Sequence, residues 1–518
     1  IGLDYGTESA RGVLLDAETG EIARTCILPY PHGVLDGALP DGTPLPRGWA
    51  LQVAGDYTLV AEAILTDLGR GRNIAAIGLG HTASSPLPAK ADGTPLSFHF
   101  PRDPHAYVKL WKHGAAQPWA DRINAAGGDF LHNFGGKLSG EWLLPKAWQM
   151  AEEAPDLWAA TDKFIEAGDW VVWQLTGTEA RSLGFAAYKA QYERSRGYPV
   201  RVVEGLDQRL SPPVPVGTPA GPLNDTWRTR TGIKGDAIVA VAVIDSHLTL
   251  PAVGATTAGC LAGALGTSAG YLYVSDTPRP LPTGIEGMAK DGSLRGLWCY
   301  EAGQASFGDT LAWFVNMVPR APDMAENFRL YNAEAAKLTP GTSHLVALDW
   351  WNGNRVPLAD SGLSGLLLGL TRQTAAIDIY RALMESLCFG ARTIIDLFPS
   401  HGFPLNRVIM SSGLARNNPL LVQIAADVLG RNIEVPAIEH ATAVGAAIHG
   451  AVASGLVPDY RTGAARFGAR DFVTYHPNQK ATAVYEGLYR NYQTLADCGA
   501  LRTAMHQLNA AHPQPAGS

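Results

Sequence analysis

Three short passages carry residue types that could do chemistry. Near the start, Asp4-Tyr5-Gly6-Thr7 sets a carboxylate just before a Gly-Thr turn. Much later, Gly266-Thr267-Ser268 repeats such a turn. A hairpin tip of this kind exposes backbone N–H groups that can donate to phosphate oxygens without any net positive charge. Either turn alone is equally a structural bend. Together, about 260 residues apart, they could grip β- and γ-phosphates from two sides. Asp245 ends the apolar run AIVAVAVID (237–245). An acid at the carboxyl end of a buried strand sits where α/β ligand crevices form, although a helix N-cap is an equal reading. His247 follows with no second ligand at metal-binding spacing, so it reads as a structural histidine.

Two looser motifs are set aside. GTSAG (266–270) matches the GxSxG nucleophile elbow, which requires strand, sharp turn and helix. Strand-like YLYVSD follows instead, which favours the phosphate-binding hairpin. GLGHTA (78–83) approximates a dinucleotide fingerprint, which needs a helix to open at once. The prolines of the following SSPLP oppose that, and a strand-end turn fits better. A Walker-type GxxxxGKS or GxxxxGKT cradle is absent.

The elements that must hold these residues are legible in outline. The opening reads as three strands joined by turns, an antiparallel meander. DYTLVAEAILTDLG has helical spacing and NIAAIGLG is a short buried strand. This β-β-β-α-β order is not a Rossmann start. The stretch from about 100 to 200 is helix-rich, and LSPPVPVGTPAGPL (210–223) reads as a surface connection. ALGTSAGYLYVSD then repeats the strand, Gly-Thr turn and strand of DYGTESARGVLLD. Such self-similarity points to an internal duplication with a boundary near 250–258.

Composition bounds the function. With 518 residues, 46% hydrophobic and 17% charged, the chain is globular and long enough for two domains or more. Its 41 Lys+Arg against 48 Asp+Glu leave a formal net charge of -7, which argues against a dedicated nucleic-acid or membrane-surface binder. Five scattered cysteines without a CxxC pair fit a reducing, cytoplasmic setting. No apolar run reaches the ~18 residues of a membrane span. No signal peptide is visible in IGLDYGT, and HPQPAGS (512–518) reads as a disordered end.

Six passages in order carry a resemblance: DYGT; PKAWQMAEEAPDLWAATDKFIEAGDWVVWQLTG; AVIDSH; LGTS; GLLLGLTRQTAAIDIYRALMESL; and SSGLARNNPLLVQIAADVLG with ATAVGAAIHGA. The chain resembles the FGGY carbohydrate kinases from Asp4 to about Gly450. Within them HAYVKLWKHGAAQPWADRIN, GGKLSGEWLLPK, AYKA and YEAGQASFGD are most similar to the L-ribulokinase branch. The resemblance implies an α/β, two-domain fold of the actin/hexokinase/Hsp70 ATPase type, with duplicated ribonuclease H-like domains and a catalytic cleft between them. A sugar-binding N-terminal domain (1–250) would carry the helical insertion, and a C-terminal domain (251–518) would bind the nucleotide.

The activity implied is ATP-dependent phosphorylation of a ketopentose primary hydroxyl, L-ribulose to L-ribulose 5-phosphate. Asp245 would be the general base, and it needs no raised pKa because a loose transition state makes the hydroxyl acidic only late. Asp4 would help hold Mg²⁺ through water. Gly6, Thr7, Gly266 and Thr267 would contact phosphates; Ala83, Lys189, Asp245 and Glu301 would line the ketose pocket; Gly413, Asn417 and Asn418 would hold the adenosine end. The partners implied are the ketose and ATP, with a homodimer common in the family. The alternatives are a sibling kinase for D-ribulose, xylulose or a polyol, and a non-sugar ATP-binding switch of the same fold. The chain departs from the family in Ser411-Ser412, where Gly-Gly is usual, and in Ser-Ala-Gly after Thr267, where Ser-Thr-Cys is expected. TASSPLP in the sugar loop is near the usual form but not identical to it.

Overall fold

The computed structural model describes residues 1–282 and 284–511. The segment read as a disordered end, 512–518, lies outside them. The chain opens with β1 (Gly2–Tyr5), β2 (Ser9–Leu15) and β3 (Ile22–Pro29), an antiparallel meander as expected. Helix α1 (Ala54–Gly69) buries Tyr57, Val60, Ala61, Ile64 and Leu68, the one-face spacing of an amphipathic helix. It returns the chain to β4 (Ala76–His81), parallel to β1.

Three further strands complete this sheet: β5 (Pro219–Pro222), β6 (Ile238–Ala240) and β7 (Val243–Ile244). The order is β5-β6-β4-β1-β2-β3, with β7 continuing beside β4. The run 237–245 is thus two strands rather than one, broken at Val241-Ala242. The Pro/Gly-rich passage is more than a surface connection, since it supplies β5. That is an edge strand, where prolines lacking an N–H are tolerated.

Between β4 and β5 lies the helix-rich passage, including α2 (Leu143–Glu153) and α3 (Leu183–Lys189). Its core of Leu96, Tyr107, Ile123, Leu144, Met150 and Phe164 also recruits Trp49 and Leu51 from ahead of α1.

The second half repeats the plan. Strands β8 (Cys260–Leu265) and β9 (Ala269–Ser275) form the second glycine-turned hairpin, followed by β10 (Gly287–Lys290) and β11 (Trp298–Gln304). After α4 (Gly308–Met317) and the long α5 (Ala376–Ser400) come β12 (Arg407–Ser411), α6 (Gly413–Asn417), α7 (Pro419–Leu429), β13 (Ile433–Pro436), α8 (Ala441–Ala453) and β14 (Phe472–Tyr475). The sheet order is β10-β11-β9-β8-β12-β13-β14. Apart from β10, it matches the first sheet strand for strand: β14, β13, β12, β8, β9 and β11 stand where β5, β6, β4, β1, β2 and β3 do, with the same directions. This is the duplicated two-domain α/β fold that the resemblance implies.

Helix α8 does not stay with the sheet that precedes it; it packs on β1 and β4 of the first. Glycines make the approach feasible. A Cβ on Gly2 would lie 1.9 Å from the Ala443 carbonyl oxygen, and one on Gly78 would lie 1.7 Å from that of Ala446. On the helix, a Cβ on Gly445 would lie 1.8 Å from the Leu248 carbonyl oxygen. The second half is thereby clamped to the first across small residues. Among the described residues, no helix is long and apolar enough to cross a membrane. All five cysteines are free thiols.

Gly78→Ala tests the clamp. Overpacking a core typically costs about 1–3 kcal/mol, and here the added methyl meets backbone that cannot rotate away. The thermal midpoint should drop by several degrees or more. An unchanged midpoint would show that α8 does not lie against β4.

Candidate active site

The site begins at the carboxyl edge of the first sheet. Asp4 on β1 and Val243 on β7 both face Gly80 of the intervening β4, so Asp245 emerges beyond β7 beside Asp4. Gly80 leaves room for this, because a Cβ there would stand 3.6 Å from the Asp245 Cα and 2.1 Å from Leu248 Cδ1. Asp4 is buried, and its Oδ2 accepts from the Thr442 hydroxyl at the start of α8. Arg11 Nε lies 3.6 Å from the same oxygen. Burial pushes the Asp4 pKa up, against the pull of Thr442, Arg11 and His440.

Asp245 opens a short 3₁₀ turn (Asp245–Leu248), and its Oδ1 accepts only from the adjacent Ser246 N–H at 2.7 Å. It does not reach a second- or third-turn amide, so it is not the helix cap of the alternative reading. Burial first, then repulsion from Asp4, pushes Asp245 up to about 7, against the Ser246 N–H and the Lys189 charge. The sequence reading required no raised pKa; burial, reinforced by the Asp4 charge, produces one.

Lys189, at the end of α3, and Glu301, on β11, come from different halves and meet. Lys189 Nζ is 3.2 Å from each Glu301 carboxylate oxygen. This is a sheltered pair rather than a pair of solvated surface charges. Burial works to raise Glu301, but Lys189 and then His247 outweigh it and hold the carboxyl well below the usual range. His247 is fully buried, with Nδ1 2.8 Å from Ser293 Oγ and Nε2 3.9 Å from Glu301 Oε2. The histidine read as structural therefore also backs the Lys189–Glu301 ion pair.

The Ala83 loop is held from beneath. Ser84 Oγ donates to Glu166, and the Ser85 N–H donates to Glu166 Oε2 at 2.6 Å. Lys146 on α2, wholly buried, donates to the carbonyls of Ser84 at 2.7 Å and Leu110 at 2.8 Å. Burial pulls its pKa down to about 7, despite Glu166 and Glu141. Trp111, the next residue after Leu110, donates from Nε1 to Thr7 Oγ1 at 3.0 Å. Thr442, Lys146, Glu166, His247 and Trp111 were all missed as site residues. Lys146 and His247 lie inside passages already singled out, but nothing in one dimension marks their contacts.

The two tips are braced differently. In the first, the Gly6 N–H donates to Ser9 O at 3.0 Å, and the Gly6 carbonyl accepts from Tyr30 Oη at 3.0 Å. The Thr7 carbonyl accepts from Gln52 Nε2 at 2.7 Å. In the second, Gly266, Thr267 and Ser268 are exposed, and their backbone is tied to the start of α4. Gly308 N donates to Gly266 O at 3.0 Å, and Phe307 N donates to Thr267 O at 2.8 Å. A strand, not a helix, follows Ser268, so the nucleophile-elbow geometry is absent. Of the residues expected at the adenosine end, Gly413 and Asn417 are exposed after the carboxyl end of β12. Asn418 is turned inward: it is buried, and its Oδ1 caps α7 by accepting from Leu421 N at 3.1 Å. Thr442 bonding to Asp4 brings the segment after β13 to the carboxyl edge of the first sheet.

Comparison with known proteins agrees with this layout. The model of the FGGY family of carbohydrate kinases, C-terminal domain, matches residues 261–454. A ribulokinase of Halalkalibacterium halodurans is 39% identical over 96% of this chain and 94% of its own length. A ribulokinase of Mycolicibacterium smegmatis is 38% identical over 96% of this chain and 93% of its own. Among solved structures, xylulose kinase from Rhodospirillum rubrum superposes with a TM-score of 0.82 at 21% identity, covering 98% of this chain and 99% of that one. Plasmodium falciparum glycerol kinase with ADP gives 0.80 at 14% identity, over 96% and 98%. At those identities the superpositions speak for the fold alone.

Two measurements test the electrostatics. A raised Asp245 pKa means that the folded protein keeps a proton that the unfolded chain has released. Stability therefore falls as pH rises from the ordinary 3.8 to about 7, and the loss is complete above that. The slope is at most about 1.4 kcal/mol per pH unit. Asp245→Asn should then gain more in thermal midpoint over the parent at pH 8 than at pH 5; an equal difference at both would remove the shift. Lys146→Met leaves the Ser84 and Leu110 carbonyls without their donor, at about 1–3 kcal/mol each. We expect a lower midpoint and a raised ketose KM with the ATP KM held. A raised ATP KM in its place would put Lys146 under a different site.

Proposed function

The chain belongs to the FGGY family of carbohydrate kinases, and from that premise we propose that it phosphorylates L-ribulose at its primary hydroxyl with ATP, giving L-ribulose 5-phosphate. The observation that carries the reading is the meeting of Asp4, Asp245 and the Lys189–Glu301 pair at one carboxyl edge, in a chain so similar to ribulokinases.

Phosphoryl transfer asks the protein for alignment, charge neutralisation and a route for one proton. Lys189 and Glu301 hold ketose hydroxyls on the floor of the pocket, with the Ala83 loop closing one side. The ketose primary oxygen attacks the γ-phosphorus, the bond to the β,γ-bridging oxygen breaks, and ADP leaves. The hydroxyl proton passes to an Asp245 carboxylate oxygen. Backbone amides at Thr7 and Thr267 donate to phosphate oxygens as charge spreads over them, while the Gly6 and Gly266 amides, held by Ser9 O and Ser268 O within their hairpins, leave the tips open to close approach. Gly413 and Asn417 hold the adenosine end, while Asn418 supports that loop through its cap.

Magnesium fits the residues present. Mg²⁺ keeps several waters and takes one or two carboxylates plus substrate phosphates, not an all-protein cage. Among the described residues no group of three or more His, Cys, Asp or Glu could hold a metal, while Asp4 and Asp245 crowd one cleft. Asp4 would hold the ion through water, and the ion would supply positive charge beside the phosphates. With it in place Asp245 is free to stay ionised and accept the proton.

The proposed domains are a sugar-binding half over 1–250 and a nucleotide-binding half over 251–518, with closure excluding water. The setting proposed is the cytoplasm, in keeping with five free thiols, and the assembly a homodimer.

Asp245→Ala should fold and bind ATP but lose at least ~10³-fold in turnover, the scale of removing a base together with its positioning role. Near-parental turnover would reject Asp245 as the base. Coupled ADP detection across L-ribulose, D-ribulose, D-xylulose, ribitol and glycerol should give the highest kcat/KM with L-ribulose. ATP turnover that no sugar stimulates would favour the switch reading.

A further inference from the structure

Strand β12 ends at Ser411, and the next residue has an unusual backbone. Ser412 sits at φ 109°, ψ 175°. Five other non-glycine residues in the described chain have positive φ, all between 48° and 62°, within the left-handed helical well that L residues can visit. Ser412 lies outside that well, in a region sterically open essentially to glycine alone. The family's usual glycine would be relaxed there; this chain carries a side chain.

The side chain has a job that offsets the strain. Ser412 Oγ donates to the carbonyl of Leu265, the last residue of β8. The peptide after Leu265 belongs to Gly266, the start of the exposed tip Gly266–Ser268. One step back, Ser411 Oγ donates to Gly263 O at 3.2 Å, so two consecutive hydroxyls lace β12 to β8. Ser412 also begins the adenosine-side loop: its carbonyl accepts from Arg416 N at 3.2 Å across α6. The same corner is packed tightly. A Cβ on Gly308 would stand 2.7 Å from Gly266 O and 3.3 Å from Leu414 Cδ2.

We infer that Ser412 is a positioning residue for the nucleotide, a strained brace whose hydroxyl fixes the adenosine-side loop against the phosphate tip through Leu265. The inference rests on the nucleotide reading given above for Gly266, Thr267, Gly413 and Asn417. Removing the hydroxyl while keeping a Cβ leaves strain with nothing to hold it, and the loop leaves its binding geometry. Removing both leaves a relaxed but untethered loop.

This reverses the ordinary ranking, in which Ser→Ala is milder than Ser→Gly. Ser412→Ala should lower the thermal midpoint and raise the ATP KM about tenfold, the effect of a binding geometry populated in roughly a tenth of molecules. Ketose KM should stay unchanged. Ser412→Gly should have a midpoint at or above the parent, since strain is gone, yet an ATP KM raised about threefold through the lost tether, again as a reduced competent fraction. That opposite movement of stability and nucleotide KM is not what a merely structural serine produces. Should Ser412→Ala fail to fold, the glycine variant carries the test alone. An unchanged ATP KM in Ser412→Gly, or Ser412→Ala milder than Ser412→Gly, would overturn the brace. A parent enzyme that does not saturate with ATP would instead overturn the nucleotide reading itself.

Discussion

Two carboxylates that cannot comfortably both be charged stand at the centre of this molecule. Asp4 and Asp245 flank one strand at the same sheet edge, Asp4 buried and Asp245 partly exposed. Burial raises both, and the Asp4 charge raises Asp245 further. Arg11 stands beside Asp4, whereas Lys189, the cation acting on Asp245, is already shared with Glu301. Asp245 therefore holds a proton up to about pH 7, well above the usual carboxylate range. In the proposed reaction a cation bound beside Asp245 would reverse that preference, so the proposed base would ionise as the donor binds. A kinase gains from this, because an uncommitted base would also activate water.

The rest of the architecture serves that edge. A sheet with parallel central strands presents ligands at their carboxyl ends, and this fold has two such sheets. Helix α8 belongs by sequence to the second half and by packing to the first. Its Thr442 hydroxyl lands on Asp4. A helix that lies in sequence between strands of the second sheet thus supplies a hydrogen bond to a carboxylate at the edge of the first. Lys189 and Glu301 repeat the theme on the sugar side, each half supplying one partner.

Much of this was legible in the sequence. Hydrophobic period and turn residues reveal β1 to β4 and α1, because those signals are local. The Gly-Thr tips repeat, so the duplication shows despite little other likeness between the halves. The glycines of α8's contact were not legible. Gly2 and Gly78 fall in runs read as strands, whereas their use is to let a helix from more than 360 residues away touch backbone. Lys146 is likewise invisible as a support, since its partners are carbonyls that every residue has. Asn418 is legible only in part: beside Asn417 it has the right type for a ligand, and the same chemistry lets it cap a helix. The proline-rich passage concealed an edge strand because an edge, unlike a central strand, does not need every N–H.

The most direct check is to watch the Asp245 carboxyl itself, by ¹³C-detected titration of protein labelled at aspartate, with Asp245→Asn to assign the signal. In the free enzyme it should titrate near 7, and adding ADP with magnesium should move it down by more than one unit. A carboxyl that titrates near the ordinary 3.8 in both states would contradict the shared-charge cleft on which the account is built.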